Sequence, residues 1–208
     1  MTRIQQAKYK LSRKYGKAIW GNAKDPVFKG RTHPPGQHGP SKMAFVRNTS
    51  FGVQLRAKQL LKGYYGNLTE KKFRSYYKRS TRLKGDTSQN LIKLLETRLD
   101  MVIYRANFVP TIFAARQFVS HNHILVNNKK VNIPSYEVKI GDVVEVKAKS
   151  KQLNIVLEAV TKAERTIPDY YVYDAKQMQV QLTRLPELSD VPYPVIMEPN
   201  LVVEFYSQ

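Results

Sequence analysis

Residues 91–148 change their hydrophobic period part-way along, and this change constrains the fold class. Over residues 87–108 apolar side chains recur at steps of three and four, which predicts one amphipathic helix. A second helical pattern over residues 112–123 follows a threonine that can cap it. Short apolar runs then lie on either side of turn residues at 127–130 and at 141–142, which is typical of antiparallel strands. We predict an α+β fold in which two helices precede a small sheet.

Two shorter and more basic helices are predicted before this region. Residues 51–63 place apolar side chains on one side of a helix. Residues 69–85 have Thr69 as a candidate N-cap and Gly85 as a terminator. The predicted organisation is a basic arm with a Gly/Pro loop in residues 1–50, a helical body in 51–90, an α/β module in 91–160, and a segment in 161–208 that packs back on the body.

The C-terminal segment differs from the rest of the chain. Prolines at positions 186, 192, 194 and 199 predict a loop. The final residues, "NLVVEFYSQ", alternate in polarity in the manner of a strand. We therefore expect a last strand that is buried against the body.

The charge distribution indicates a polyanionic partner. The chain has 35 Lys and Arg against 16 Asp and Glu, a net charge of +19. Residues 1–90 hold 21 of these basic residues and 3 of the acidic ones, whereas residues 161–208 are net acidic. An excess of this size is more than solubility requires, although a solvated basic surface is the alternative interpretation. A nucleic acid bound mainly by the first half of the chain explains it best.

The chain has no cysteine, which excludes disulfides, a thiolate nucleophile and a cysteine-based zinc site. We accordingly predict no cofactor and no metal, and a reducing compartment is compatible with the sequence. No apolar run approaches the roughly 20 residues of a membrane span, so no membrane partner is expected. The basic, acid-free N-terminus is also typical of an organellar presequence.

The segment "RTHPPGQHGP", residues 31–40, predicts a rigid loop. Pro34 and Pro35 stiffen the backbone, and Gly36 permits a positive φ. Histidine and glutamine side chains on such a loop can donate to phosphates and 2′-hydroxyls at a small cost in ordering entropy. A structural loop and a metal site are the alternatives, and the metal site is disfavoured because further ligands are lacking nearby.

Several segments together resemble one known family. They are "KYKLSRKYG", "PPGQHG", "FGVQLRAKQ", "GYYGNLTEKKFRSYYKRS", "LLETRLDMVIYR", "ARQFVSH", "NNKKVNIPSYEVKIGD" and "LVVEFYS". In this order they are similar to bacterial-type small-subunit ribosomal protein four over essentially the whole chain. The similarity begins near Lys8, which argues against the presequence. Without cysteine, the chain resembles the zinc-free branch, and it carries few basic residues in 40–50, where relatives often have several.

The resemblance implies a structural, non-enzymatic constituent of the small ribosomal subunit, in the bacterial cytoplasm or an organelle. Its expected fold is a basic arm and helical body followed by two helices packed on a small bent antiparallel sheet. The expected function is primary binding of the 5′ domain of small-subunit rRNA at a multi-helix junction, which nucleates assembly. Small-subunit protein five, other small-subunit proteins and the mRNA where it enters the ribosome are the expected neighbours, with a role in translational accuracy.

Candidate RNA-binding residues come from the matching motifs and from their basic, polar or aromatic character. In the arm and loop they are Lys8, Lys10, Ser12, Arg13, Lys14, His33, Gly36, Gln37 and His38. In the body they are Gln54, Arg56, Lys58, Gln59, Tyr64, Tyr65, Arg74, Tyr76, Lys78, Arg79 and Arg82. In the module they are Arg98, Arg105, Arg116, Gln117, Ser120, His121, Lys129 and Lys130.

Alternatives remain for some of these residues. Tyrosines at helical spacing are commonly core residues, so we expect one ring of each Tyr-Tyr pair to be buried. We expect Arg116, Lys129 and Lys130 to converge on one exposed ridge. An H-x-H metal pair at His121 and His123 is disfavoured.

Two other functions also fit parts of the sequence. The triplet "RLD" at residues 98–100 also occurs in pseudouridine synthases that carry the same RNA-binding module, where the Asp is the nucleophile. Here Thr97 precedes it instead of glycine, the chain lacks room for the catalytic domain, and Asp100 is better explained as an ionic partner. A free RNA chaperone or mRNA repressor is the third class.

Overall fold

A computed structural model describes residues 7–31, 33–41 and 49–208. The chain divides into two compact units, which we call the first unit (Met1–Tyr77 with Tyr193–Gln208) and the second unit (Lys78–Pro192). The C-terminal residues thus pack with the N-terminal ones. The C-terminal share of the first unit starts at residue 193, whereas the sequence prediction began it at 161. Residues 78–90 belong with the α/β module.

The helices, in chain order, are α1 Lys10–Tyr15, α2 Ser50–Tyr64, α3 Glu70–Ser80, α4 Thr87–Glu96, α5 Leu99–Arg105, α6 Ile112–Ser120, α7 Asn154–Lys162 and α8 Pro199–Ser207. The strands are β1 Ile124–Val126, β2 Lys129–Lys130, β3 Val143–Val146, β4 Tyr171–Asp174 and β5 Gln179–Leu182. These elements confirm the predicted α+β class. Within the described residues, no helix is both long enough and apolar enough to cross a membrane.

The first unit is built on α2 and α8. Thr49 caps α2 by accepting from the Gly52 N–H at 3.1 Å. The predicted C-terminal strand is wrong, since this segment forms α8 with Pro199 at its first position. Val202, Phe205 and Tyr206 are three and four residues apart, so the same letters fit one side of a helix equally well.

Aromatic residues fill the centre of the first unit. The Trp20 indole N–H donates to the backbone oxygen of Tyr64 at 3.0 Å. The Tyr64 ring meets those of Tyr65 and Tyr193 edge-on at 5.2 and 5.1 Å. The hydroxyls of Tyr65 and Tyr193 are 2.6 Å apart. These contacts join the segments before α2 and before α8 to the end of α2.

The second unit breaks the long predicted helix in two. Helix α4 ends where Thr97 turns its hydroxyl back to the Lys93 carbonyl oxygen at 2.9 Å. Residues 97–99 then bond to residues 136–138: the Leu99 N–H donates to Tyr136 O at 2.9 Å, and the Val138 N–H donates to Thr97 O at 2.8 Å. The apolar spacing continues through the break, which explains why a single helix was predicted.

The second unit's sheet is antiparallel, with strand order β2-β1-β3-β5-β4. Its buried face carries Ile124, Val126, Val144, Val146, Val180 and Leu182. Asn127 and Asn128 adopt φ of 49° and 64° in the β1–β2 turn, as a tight hairpin requires. Two strands were predicted around Gly141. The structure has β3 on the C-terminal side of this turn and, among the described residues, no strand directly before it. Strands β4 and β5 were not predicted.

Candidate nucleic-acid interface

Helix α3 carries the densest exposed positive charge among the described helices. Phe73 and Tyr76 are buried, whereas Lys71, Lys72 and Arg74 are exposed. No ion pair in the described part of the chain includes these three cations. We call Lys71, Lys72 and Arg74 the α3 surface. A helix face with this charge and without acidic partners suits a phosphate backbone.

Farther along the chain, Lys78, Arg79 and Arg82 are also exposed. Arg79 donates to the Glu137 carboxylate at 2.6 Å. This pair is half-exposed, so water and salt screen it. The structure therefore presents all three predicted side chains to solvent.

The predicted arm residues have mixed placements. Lys10 and Lys14 are exposed on α1, and Lys8 is half-buried. Burial lowers the pKa of Lys8, and Asp25 partly offsets this effect. Arg13 is half-buried and donates to the Pro34 carbonyl oxygen at 3.4 Å.

Ser12 is fully buried, so its selection as an RNA contact is corrected. The sequence suggested it because it lies among basic residues. Its hydroxyl lies inside the first unit, where a nucleic acid has no access.

The Gly/Pro loop has the backbone that the sequence predicts. Gly36 has φ of +106°, and a Cβ at Gly39 would stand 2.0 Å from the Pro34 carbonyl oxygen. Gln37 and His38 are exposed, and His33 is half-buried. The loop thus presents polar side chains from a tightly folded backbone. Thr32 and the basic residues Lys42 and Arg47 lie outside the described residues.

Several candidates in the body are buried, which corrects their selection. Gln54, Lys58, Tyr64, Tyr65 and Tyr76 have between 0 and 5% of their surface exposed. The expectation of one buried ring per pair is wrong for residues 64–65, where both are buried, and it holds for Tyr76 with the half-exposed Tyr77. Arg56 is exposed and Gln59 is half-buried.

Arg98 and Arg105 are also removed from the interface. Both are 2% exposed. Arg98 forms an ion pair with Asp100, and Arg105 donates to both oxygens of Glu96 at 3.0 and 2.9 Å. Each guanidinium therefore neutralises a buried carboxylate. The ionic role expected of Asp100 is confirmed.

Helix α6 and the β1–β2 hairpin carry the predicted polar groups of the module. Thr111 caps α6, as expected, and Gln117 and His121 are exposed. Arg116 and Ser120 are half-buried, and the Ser120 hydroxyl donates to the Arg116 carbonyl oxygen at 2.8 Å. This bond occupies the serine donor.

The single ridge expected of Arg116, Lys129 and Lys130 is wrong. Both lysines are exposed, but Lys130 pairs with Leu125 and Lys129 with Val126. Consecutive strand residues point to opposite faces of a sheet, so the two ammonium groups leave the hairpin on different sides. We call Arg116, Gln117, Lys129 and Lys130 the α6–hairpin surface, a name for solvent-accessible groups that lie on more than one face.

A side-chain clamp holds the hairpin. The Asn127 amide donates to Asp142 at 2.8 Å and accepts from the Val143 N–H at 2.9 Å. The second Asp142 oxygen accepts from the Lys139 N–H at 2.8 Å. The turn that presents the two lysines is thereby fixed to the turn before β3.

Sequence reasoning missed Lys147, Ser150 and Arg165. Arg165 donates to the carbonyl oxygens of Tyr104, Val109 and Pro110 at 3.2, 2.7 and 3.0 Å. It therefore stabilises the corner between α5 and α6. No local sequence pattern predicts these contacts, because Arg165 lies 55 to 61 residues from its partners.

Comparisons with known proteins match both parts of the chain. The Ribosomal protein S4/S9 N-terminal domain family matches residues 3–96, and the S4 domain family matches residues 97–144. The small ribosomal subunit protein uS4 of Ruegeria sp. (strain TM1040) is 60% identical over 208 residues, which is 100% of each chain. The proteins of the same name from Brucella ovis and Beijerinckia indica are 59% and 56% identical over the same length.

The chain belongs to the uS4 family of small ribosomal subunit proteins. This confirms the family that the sequence resembles. The uS4 family is structural and not enzymatic, so the synthase interpretation of "RLD" is set aside. No group of three or more potential metal-ligating His, Cys, Asp or Glu side chains occurs among the described residues.

Proposed function

We propose that this uS4-family chain binds small-subunit rRNA through the α3 surface and the α6–hairpin surface. The observation that carries the proposal is the unneutralised charge of Lys71, Lys72 and Arg74 on α3. A cation without an acidic partner gains the most free energy from binding a phosphate, since it has no carboxylate to give up. Each phosphate contact also releases counterions condensed on the RNA.

The α6–hairpin surface adds polar groups whose arrangement is fixed. Its polar groups are held on a capped helix and on a clamped turn, so little ordering is needed when they bind. A-form RNA is recognised mainly through its shape, its phosphates and its 2′-hydroxyls, which arginine, lysine and glutamine side chains can contact. We infer that the α6–hairpin surface mainly orients the chain on the RNA, whereas the α3 surface contributes mainly affinity.

The finer role proposed here is early binding at a multi-helix junction of the rRNA 5′ domain, which nucleates assembly in the bacterial cytoplasm. Small-subunit protein five and the incoming mRNA are the proposed neighbours. Full-length similarity to bacterial uS4 proteins supports this role.

The test is filter binding of the purified chain to a transcript of the small-subunit rRNA 5′ domain at several salt concentrations. The variant Lys71→Ala/Arg74→Ala should bind more weakly, with a salt slope reduced by about one unit per lost phosphate contact. Its matched control is Lys162→Ala/Lys176→Ala, which removes the same charge from exposed positions in the acidic C-terminal segment. Equal salt slopes for the two variants would contradict RNA binding by the α3 surface.

A second experiment separates a ribosomal component from a free RNA chaperone or mRNA repressor. A ribosomal component should co-sediment with small subunits through a sucrose gradient after a high-salt wash. Release of the chain into the top fractions would contradict stable incorporation.

A further inference from the structure

Three basic residues from separate parts of the second unit meet at the end of α6. His121 is the C-cap residue of α6, His123 precedes β1, and Lys147 follows β3. The ring centroids of the two histidines are 6.2 Å apart. The Lys147 N–H donates to the His123 carbonyl oxygen at 2.9 Å, which ties the strand ends together. We call these residues the His–Lys cluster.

His123 is held in one orientation. Its ring stacks on Phe118 with centroids 4.6 Å apart, and its Nδ1 lies 2.8 Å from the Ser150 hydroxyl oxygen. A hydroxyl can donate or accept, so this bond persists whether the imidazole is neutral or protonated. No hydrogen bond to Nε2 is found among the described residues. That nitrogen is therefore the one suited to an external acceptor.

The charges around His123 are of one sign. Burial, followed by repulsion from His121 and Lys147, lowers the pKa of His123. Phe118 and Ser150, which contact its ring, are uncharged, and no ion pair of the described residues includes His123. Among those residues, no ion pair includes Lys147. A bound anion would offset the repulsion among these basic groups.

We propose that the His–Lys cluster is a subsite for an RNA phosphodiester and that the chain takes up protons when this subsite is filled. The proposal rests on the proposed rRNA-binding function. A phosphate that accepts one hydrogen bond of about 2.8 Å from each imidazole fits the spacing of the two rings. Because the anion favours the protonated imidazole of His123, RNA affinity rises as the pH falls through the histidine range.

The test measures binding of the rRNA 5′-domain transcript between pH 8 and pH 6 at fixed salt. Glutamine can replace the Nε2 hydrogen bond of histidine but cannot take up a proton, so His121→Gln/His123→Gln is the informative variant. Wild-type affinity should rise about tenfold more than that of the variant, and the two should agree within about twofold at pH 8. Lys147→Gln should weaken binding and keep the pH dependence, whereas Lys162→Gln is the control for an unrelated exposed cation.

Each outcome distinguishes the subsite from the wider function. If the wild type fails to bind the transcript at every pH, the proposed function itself is wrong. Tight binding with the same pH dependence in wild type and variant overturns the subsite, and an equal loss at all pH values overturns proton uptake. Circular-dichroism melts establish that each variant is folded.

Nuclear magnetic resonance of the histidine rings tests the source of the anion. The pKa of His123 should rise when the transcript is added and should stay nearly constant in millimolar inorganic phosphate. The reverse result would assign the cluster to a small free anion and overturn the RNA subsite.

Discussion

One carboxylate in each unit is held by cations and a tyrosine, but at different depths. In the second unit Glu96 accepts two hydrogen bonds from the Arg105 guanidinium, and the Tyr170 hydroxyl lies 3.4 Å from it. The side chains of Glu96 and Arg105 are 0% and 2% exposed. We call these three residues the Glu96 cluster.

The first unit repeats this chemistry near the surface. Glu70 accepts hydrogen bonds from Lys58 at 3.1 Å, Lys62 at 3.3 Å and the Tyr206 hydroxyl at 2.6 Å. Its side chain is 45% exposed, although Lys58 is nearly buried. The aromatic ring of Phe205 lies 4.1 Å below the Lys58 ammonium. We call Glu70, Lys58, Lys62 and Tyr206 the Glu70 cluster.

The difference in depth decides what each cluster contributes. Loss of one partner inside the second unit leaves a charge without water or counterion, which is costly. Loss of one partner at Glu70 lets water and the second lysine compensate, so the penalty is small. The same set of groups therefore specifies the packing of one unit and only adjusts the stability of the other.

The largest expected effect is on the Glu96 cluster. Glu96→Ala should lower the free energy of unfolding by about 3–5 kcal/mol, because it leaves the buried Arg105 unpaired. Urea denaturation monitored by circular dichroism measures this change. Glu158→Ala is the control, since it breaks an ion pair whose side chains are 69% and 62% exposed and should change stability by less than about 0.5 kcal/mol.

A double variant sharpens this result. Glu96→Leu/Arg105→Met removes both charges and keeps apolar volume, so it should cost much less than Glu96→Ala. If the single and double variants are equally destabilised, the penalty arises from lost packing and the electrostatic explanation is wrong.

A smaller loss is expected for Phe205→Ala beside the Glu70 cluster. The ring is half-buried, contacts Phe51 at 5.5 Å between centroids and lies under Lys58. We expect about 1–2 kcal/mol, compared with the ~3–5 kcal/mol of a fully buried ring. A thermal melt identical to that of the wild type would show that the Phe205 ring contributes nothing to the stability of the first unit.

The helices and strands show how far the sequence could predict the structure. Hydrophobic period located α2 to α6, with α4 and α5 merged, and the first hairpin, because backbone geometry imposes the period locally. Helices α1 and α7 were not predicted. The period failed at α8, where residues 201–206 satisfy both periods, and at Thr97, where pairing with a distant segment interrupts a helix. The strand of residues 179–182 was missed because it is short and its pattern is completed by tertiary partners.

Some of the predicted interface residues are buried for a related reason. Exposed cations such as Arg74 and Lys129 were selected correctly as surface groups. Arg105 and Lys58 have the same residue types, and the fold brings the carboxylates of Glu96 and Glu70 to them. Residue type predicts that a charge needs a partner, but whether the partner is a protein carboxylate or an RNA phosphate depends on the tertiary structure.

Tyr206→Phe isolates one hydrogen bond of the Glu70 cluster. The ring contacts with Phe73 and Tyr77 are kept, and only the hydroxyl bonded to Glu70 is lost. The free energy of unfolding should fall by about 0.5–1.5 kcal/mol at neutral pH. A loss above about 3 kcal/mol would mean that Glu70 behaves like the buried Glu96.

The smallest expected effect is the acid dependence of the same cluster. Burial alone would raise the pKa of Glu70, but hydrogen bonds from Tyr206, Lys58 and Lys62 outweigh it and lower the pKa below its ordinary value of 4.5. The folded state therefore holds this carboxylate ionised more firmly than the unfolded chain does. Its contribution is present in full above the ordinary value and is lost as the pH falls through the lowered pKa.

Glu70→Gln removes the titration while keeping the side-chain length. Between pH 7 and pH 3 the variant should lose less stability than the wild type, as measured by urea midpoints at each pH. Glu158→Gln, at a 69% exposed position, should follow the wild-type curve. Parallel curves for wild type and Glu70→Gln would show that water screens the Glu70 cluster completely, and the contrast with Glu96 would then be one between a buried ion pair and no pair at all.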